Sequence, residues 1–272
     1  MKIGFIGCGH MGAALAAAAA KGEKKPTMLF ANRTAAKAEQ LAERIGGSVF
    51  ENEQLVRQSD FVFLGVKPQQ LPQLLTQIEP VLCARVAAGD APVLVSMAAG
   101  ITLDALCAQL GCRLPCIRIM PNTPAAVGAG VLLYCMRDVT PAQAEQFLVA
   151  MAPAGLLLPM EESRFDAASA ISGCGPAFCY MFADALAMGG VRCGLPYTDA
   201  CRLAAQTMLG AAQMLLSSGE SPDTLKIQVC SPAGTTIEGV SALQQGAFAY
   251  TVQSAVTAAC ARSAALAKSK EK

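Results

Sequence analysis

The stretch Lys2-Ile-Gly-Phe-Ile-Gly-Cys-Gly-His-Met-Gly12 carries the residue types and spacing that most directly imply chemistry. Gly7, Gly9 and Gly12 give G-x-G-x-x-G directly after the apolar run Ile3 to Ile6 and ahead of an Ala/Leu run from Ala13 to Ala20. Strand, glycine turn and helix in that order form the context in which this spacing binds a dinucleotide. Gly7 permits the sharp turn, Gly9 lets a pyrophosphate reach the backbone without meeting a Cβ, and Gly12 lets the helix pack against the strand. The helix start adds N–H groups and partial positive charge for the phosphates. The single histidine, His10, lies inside this turn. It is placed for phosphate or ribose, so the His general base of a 2-hydroxy-acid dehydrogenase is not available.

In such folds a carboxylate about 20 residues past the glycines accepts the adenosine ribose hydroxyls of NAD. Here the second apolar run, Thr27 to Ala31, ends in Asn32-Arg33-Thr34 with no acid. Arg33 and its polar neighbours would hold a 2′-phosphate by charge-assisted hydrogen bonds, which favours NADP(H) and leaves NAD(H) open. The same residues also read as a turn with Thr34 as helix N-cap, and the two readings use different atoms. Lys67 follows the buried run Phe61 to Val66 and reads as a loop residue near the coenzyme ribose. No lysine occurs between Ser172 and Leu186, so a lysine general acid is hard to place. A cyclic imine, already basic and easily reduced once protonated, fits this sparse set of titratable groups.

A second informative stretch is Ser231-Pro-Ala-Gly-Thr-Thr236, which opens a helix from Ile237 to Gln245. Clustered N–H groups and hydroxyls at a helix start can hold a carboxylate. Ordinary capping by Thr235 or Thr236, with Glu238 in the first turn, explains the same residues. The residues themselves leave those two readings level.

The elements that must position these turns follow from pattern. Up to Pro159, short apolar runs alternate with helical ones, which means an α/β unit with a mostly parallel sheet. Beyond about Met160 the strands stop. Asp166 to Met188, Tyr197 to Ser217, Pro222 to Val229, Gly234 to Gln245 and Phe248 to Ala267 read as helices, broken at glycine- and proline-containing stretches. The expected organisation is a Rossmann-like dinucleotide-binding domain over 1–160 and an all-helical domain over 161–272. Phe178 to Met188 and Leu203 to Leu216 are apolar on more than one face, and such helices must be buried. A dimer packing helices from two chains answers this better than an Ala-rich bundle within one chain.

Composition narrows the class. Of 272 residues 53% are hydrophobic and 15% charged, ample for a sizeable core, and the net charge of +1 provides no basic footprint for nucleic acid. No uninterrupted apolar run reaches membrane length; the nearest, Ile171 to Leu195, is broken by Pro176, Asp184 and Arg192. The apolar start sits inside the glycine motif and lacks a basic leader. Twelve scattered cysteines without a C-x-x-C pair, together with one histidine, make a metal site unexpected and fit a reducing cytoplasm.

Taken together, Gly7 to Gly12, Val66-Lys-Pro68, Met120-Pro-Asn-Thr-Pro124, Ser172-Gly-Cys-Gly-Pro-Ala177 and Ser231-Pro-Ala-Gly-Thr-Thr-Ile237 stand in the order seen in pyrroline-5-carboxylate reductases. The chain resembles that family over nearly its whole length. The resemblance implies NAD(P)H-dependent reduction of 1-pyrroline-5-carboxylate, a cyclic imino acid, to L-proline, the last step of proline synthesis. It implies that Ile6, Gly7, Cys8, Gly9, His10 and Met11 hold the pyrophosphate, and that Asn32, Arg33 and Asn52 hold the adenosine side. Val66, Lys67, Pro68, Met97, Ala98 and Ala99 would line the path to the nicotinamide. Ser231, Ala233, Gly234, Thr235 and Thr236 would grip the substrate carboxylate, with the Thr236 hydroxyl near the ring nitrogen as the catalytic group. In that family the helical domains of two chains interlock around the substrate site, and many members assemble further into decamers.

The chain departs from the family pattern at Ala233, where the first Gly of Pro-Gly-Gly is usual, at Cys174, where Ser is common, and at Ile227, where an acid is common. None removes an implied catalytic group; they bear on substrate affinity and identity. Competing readings are a related imine reductase or β-hydroxyacid dehydrogenase, and a catalytically inactive NADP(H)-sensing protein.

Overall fold

The computed structural model describes residues 1–22 and 25–268. The end of the expected helical domain, 269–272, lies outside the described residues. The first half alternates strand and helix: β1 (Lys2–Ile6), α1 (His10–Ala19), β2 (Thr27–Ala31), α2 (Ala35–Ile45), β3 (Ser48–Val49), α3 (Asn52–Gln58), β4 (Phe61–Leu64), α4 (Leu71–Ala87), β5 (Val93–Ser96) and α5 (Leu103–Cys107). Then come β6 (Cys116–Pro121), β7 (Gly130–Arg137), α6 (Pro141–Met151) and β8 (Gly155–Pro159). The strands form one sheet in the order β3-β2-β1-β4-β5-β6-β7-β8, parallel throughout except for the antiparallel β6–β7 pair.

Both faces of the central strands are buried, which is why β1, β2, β4 and β5 read as continuous apolar runs. Successive residues alternate between two cores. Phe61 and Phe63 of β4, Val93 and Val95 of β5 and Phe5 of β1 enter one core with Leu15, Phe30 and Phe147. Val62, Leu64, Leu94 and Ile6 enter the other with Leu55, Leu71, Leu75 and Ile78. Phe63 lies at the centre of the first, its ring stacked 4.5 Å from Phe5 and 6.3 Å from Phe147.

Among the described residues no strand follows β8. The chain continues through α7 (Phe165–Ser172), α8 (Gly175–Arg192), α9 (Tyr197–Ser218), α10 (Pro222–Gln228), α11 (Thr235–Gln245) and α12 (Phe248–Lys268). The single helix expected over Asp166 to Met188 is two, separated at Gly173 and Cys174. Pro176 explains the break: it has no N–H to give to the Ser172 carbonyl and its ring would meet that carbonyl, so it starts a new helix instead. The segment Glu162–Arg192, spanning this break, is long and apolar enough by length and composition to cross a membrane.

The chain forms two compact units, Met1–Gly173 with the end of α12 from Cys260, and Cys174–Ala259. In the first unit, α7 is held to the sheet by polar side chains. Arg118 of β6, only 4% exposed, donates to Glu162 at 2.8 Å and lies 4.6 Å from the centre of the Phe165 ring. Asn122 accepts from the Val131 N–H and donates to the Ser172 carbonyl, both at 2.8 Å. In the second unit α8 packs on α9, and Phe182 meets Phe248 at 5.7 Å. Its fully buried side chains are small, Ala187, Ala200 and Ala204, while Met181 (73% exposed), Leu216 (83%), Tyr180, Leu203 and Tyr250 face outward.

Phe63→Ala empties the centre of the stacked ring cluster. It is expected to destabilise the first unit by about 3–5 kcal/mol. Equilibrium denaturation checks this, and an unchanged midpoint would contradict the packing described.

Candidate active site

The expected dinucleotide site lies where β1, β2 and β4 end. Gly7 has φ +103°, a conformation that favours glycine. A Cβ on Gly12 would overlap the Gly7 carbonyl oxygen, so α1 starts as close to the strand as two backbones allow. Gly9 is the N-cap of α1 in an extended conformation, and a Cβ there would meet nothing within 4 Å. The first-turn N–H groups of α1 have no acceptor within the helix and face the turn.

Asn32 braces this turn. Its Oδ1 accepts the Cys8 N–H at 3.0 Å and its Nδ2 donates to the Thr34 carbonyl at 2.8 Å. One carboxamide thus fixes the glycine turn to the β2–α2 corner. The Cys8 thiol contacts the Ala31 carbonyl at 3.7 Å, and burial pushes its pKa up to about 11. Cys8 is therefore a neutral packing group at physiological pH and adds no negative charge beside a phosphate. Thr34 is the N-cap of α2 by position, but its side chain makes no capping bond, which leaves the hydroxyl available beside exposed Arg33.

A cavity of about 660 Å³ runs along these strand ends. Of the residues singled out from sequence it gathers Ile6, Gly7, Gly9, Asn32, Arg33, Asn52, Val66 and Lys67. Cys8 and His10 line a neighbouring hollow of about 460 Å³ between α1 and α2. Met11 lies in the first turn of α1, and Pro68 opens a short 3-10 turn after β4. Met97, Ala98 and Ala99 follow β5; the Met97 N–H reaches the Leu64 carbonyl at 3.5 Å and Ala98 is buried. None of Met11, Pro68 or Met97 to Ala99 is among the side chains lining the 660 Å³ cavity. The cavity also holds Thr34, read from sequence as a neighbour of Arg33, and brings in Lys37, Gln70, Gln73 and Gln77, which sequence reasoning did not single out. Their spacing on α2 and α4 matches any solvent-facing helix stripe, so only the packing of those helices reveals them.

The second stretch, in the helical unit, forms a tight turn: the Gly234 N–H donates to the Ser231 carbonyl at 3.0 Å. Capping differs from expectation. Gly234 is the N-cap of α11, and Thr235 and Thr236 are its first two residues. Gly234 takes that place because a Cβ there would collide with the Ser231 side chain. Among the described residues, the hydroxyls of Ser231, Thr235 and Thr236 have no hydrogen-bond partner, and all three residues are exposed. Ala233 sits at φ +54°, in the left-handed region, so a turn that would suit glycine carries a methyl group.

Comparison with known proteins follows the same division. A profile described as pyrroline-5-carboxylate reductase dimerisation matches residues 162–266, and one described as NADP oxidoreductase coenzyme F420-dependent matches residues 2–100. The chain is 39% identical to pyrroline-5-carboxylate reductase of Arabidopsis thaliana, over 98% of this chain and 96% of that protein. It is 37% identical to the Escherichia coli K12 reductase, over 98% and 99%. Among solved structures, the Plasmodium falciparum pyrroline carboxylate reductase with NADP bound superposes with a TM-score of 0.85, at 31% identity over 98% of both chains. The Coxiella burnetii pyrroline-5-carboxylate reductase does so at 0.88, with 29% identity over 97% of both.

The two glycines of the turn separate folding from binding. Gly12→Ala should lower both the unfolding midpoint and dinucleotide affinity, because a backbone must move. Gly9→Ala should leave the midpoint unchanged and weaken only the dinucleotide, read by titration with NADPH. Undiminished NADPH affinity in Gly9→Ala would place the phosphates elsewhere.

Proposed function

We infer the roles of individual residues from one premise: the chain belongs to the pyrroline-5-carboxylate reductase family. It is an NAD(P)H-dependent oxidoreductase that reduces 1-pyrroline-5-carboxylate to L-proline, the last step of proline biosynthesis. The observation that carries this is identity of 37–39% with named reductases across nearly the entire chain. NADP(H) is its coenzyme, and NAD(H) use remains compatible with the site.

In this reading the turn from Ile6 through Gly7, Cys8, Gly9 and His10 to Met11 receives the pyrophosphate. Arg33, with the Thr34 hydroxyl beside it, takes the 2′-phosphate. Asn32 shapes the pocket from behind, and Asn52 faces the adenosine. Val66, Lys67 and Pro68, with Met97, Ala98 and Ala99 at the end of β5, lead towards the nicotinamide. The nicotinamide supplies a hydride when bound.

The substrate carboxylate docks on Ser231, Ala233, Gly234 and Thr235 at the start of α11, where N–H groups, hydroxyls and the helix dipole favour an anion. The Thr236 hydroxyl orients the ring nitrogen. Hydride adds to the carbon of the protonated C=N bond, and the π electron pair of that bond becomes the nitrogen lone pair of proline. No side chain has to transfer a proton to carbon, which matches a site without a histidine or lysine acid at this turn. Catalysis is positioning plus stabilisation of the cationic nitrogen and the carboxylate.

The chain self-associates through its helical region. The large apolar side chains left outside on α8, α9 and α12 support burial against the same helices of a second copy. The apolar run Glu162–Arg192 belongs to this surface rather than to a membrane span in our reading, since it falls in the matched dimerisation region. We assign residues 1–160 to the nucleotide and 161–272 to dimerisation and substrate. Assembly of dimers into a decamer is the further step, which light scattering tests. The scattered cysteines support work in a reducing cytoplasm, and a net charge of +1 provides no footprint for nucleic acid as partner.

Arg33→Asp should weaken NADPH by on the order of 10- to 100-fold, and NADH far less, since only NADPH loses a charge-assisted contact. Equal loss for both coenzymes would take Arg33 out of this role. Thr236→Ala should lower kcat by roughly tenfold or more with an unchanged unfolding midpoint. Wild-type turnover with pyrroline-5-carboxylate in that variant would exclude the Thr236 hydroxyl from the mechanism.

A further inference from the structure

We propose that Gln77 is a positioning residue that holds the Asn52 carboxamide in the orientation that recognises adenine. Its basis is a single bond across the coenzyme cavity: Asn52 Nδ2 donates to Gln77 Oε1 at 2.8 Å. Asn52 is the first residue of α3, and Gln77 lies in the middle of α4. The bond joins these two helices at the cavity; further along them Arg85 of α4 donates to the Val56 carbonyl of α3 at 2.8 Å. Both side chains line the 660 Å³ cavity that also contains Arg33 and the glycine turn. The inference rests on that cavity being the coenzyme site.

Placement on the adenine half follows from topology. The pyrophosphate lies over the start of α1, and the adenosine half extends towards β2 and β3. Asn52 stands just past β3, on that side. A carboxamide suits adenine because its oxygen accepts from the exocyclic amine while its N–H donates to a ring nitrogen. On the edge formed by the exocyclic group and ring N1 it suits hypoxanthine only when turned over, because there a carbonyl oxygen replaces the amine and N1 carries a hydrogen. An isolated asparagine can turn over freely. With one Nδ2 hydrogen given to Gln77, Asn52 keeps Oδ1 and its other Nδ2 hydrogen side by side for the base.

The discriminating experiment compares NADPH with its hypoxanthine analogue, reduced nicotinamide hypoxanthine dinucleotide phosphate, by fluorescence titration of the full-length enzyme. The wild type should favour NADPH by about tenfold, the worth of a bidentate amide–base contact at the low end. Gln77→Leu removes the acceptor, frees Asn52 to turn over, and should bring the two affinities within about twofold of each other. Gln77→Glu keeps an acceptor and cannot donate, so it should hold Asn52 as before and preserve or increase the preference. Gln77 is exposed on α4, and both replacements are good helix formers. A Gln77→Leu enzyme that keeps the wild-type ratio, or loses affinity equally for both nucleotides, overturns the proposal while leaving the coenzyme site intact. A wild-type enzyme that binds NADPH without discriminating also overturns it. A wild type that binds neither nucleotide overturns the reading of the cavity, and this proposal with it.

Discussion

Where α1 leaves β1, the Gly7 carbonyl oxygen lies so near the Gly12 α-carbon that no side chain fits between them, and Gly65 at the end of β4 crowds the same carbonyl from the other side. The turn is thus confined between two backbones, and its path is set by sterics rather than by side-chain bonds. This confinement aims the helix start at the strand ends and opens the cavity along them. The brace from Asn32 to Cys8 and Thr34 only completes what the glycines begin. A small disturbance here would be felt at the phosphates, because a packed interior shifts as a body rather than yielding locally.

The rest of the first unit exists to keep that crossing rigid. The centre of its sheet is covered on both faces, and β1, β2, β4 and β5 each contribute to two cores by simple alternation. The helical unit has no comparable interior of its own. It buries alanines and leaves large apolar residues outside. Full burial of each such side chain is worth roughly 1.5–3 kcal/mol. The two units therefore reach stability differently: one by folding around a sheet, the other by folding against a second copy. Stability of the helical unit is accordingly tied to association.

The site carries little titratable chemistry. Cys8 is neutral because burial raises its thiol, and the turn ahead of α11 offers hydroxyls and backbone N–H groups. An already basic imine needs no strong acid from the protein, only correct placement against the hydride donor. Ala233 in the turn ahead of α11 is held in the left-handed region with its methyl group. A left-handed alanine costs about 1–2 kcal/mol, which the surrounding turn has to offset.

Much of this was legible without coordinates. Buried parallel strands announce themselves as short apolar runs, so β1 and β2 fall where pattern places them. The glycine spacing identifies its ligand class because each glycine answers a local steric demand. Errors arose where two local signals compete. Pro176 could continue a long helix or begin a new one, and it begins one. At the start of α11 the N-cap is Gly234 and not Thr235 or Thr236. The sequence by itself determined the elements, the nucleotide turn and the apolar excess, since these depend on neighbours a few residues away. Only the tertiary structure decided that Asn32 is a brace, that Lys37 and the glutamines of α4 face the cavity, and that Asn52 meets Gln77. Those contacts join residues far apart in the chain, and their helical spacing is the same whether a face meets solvent or a ligand.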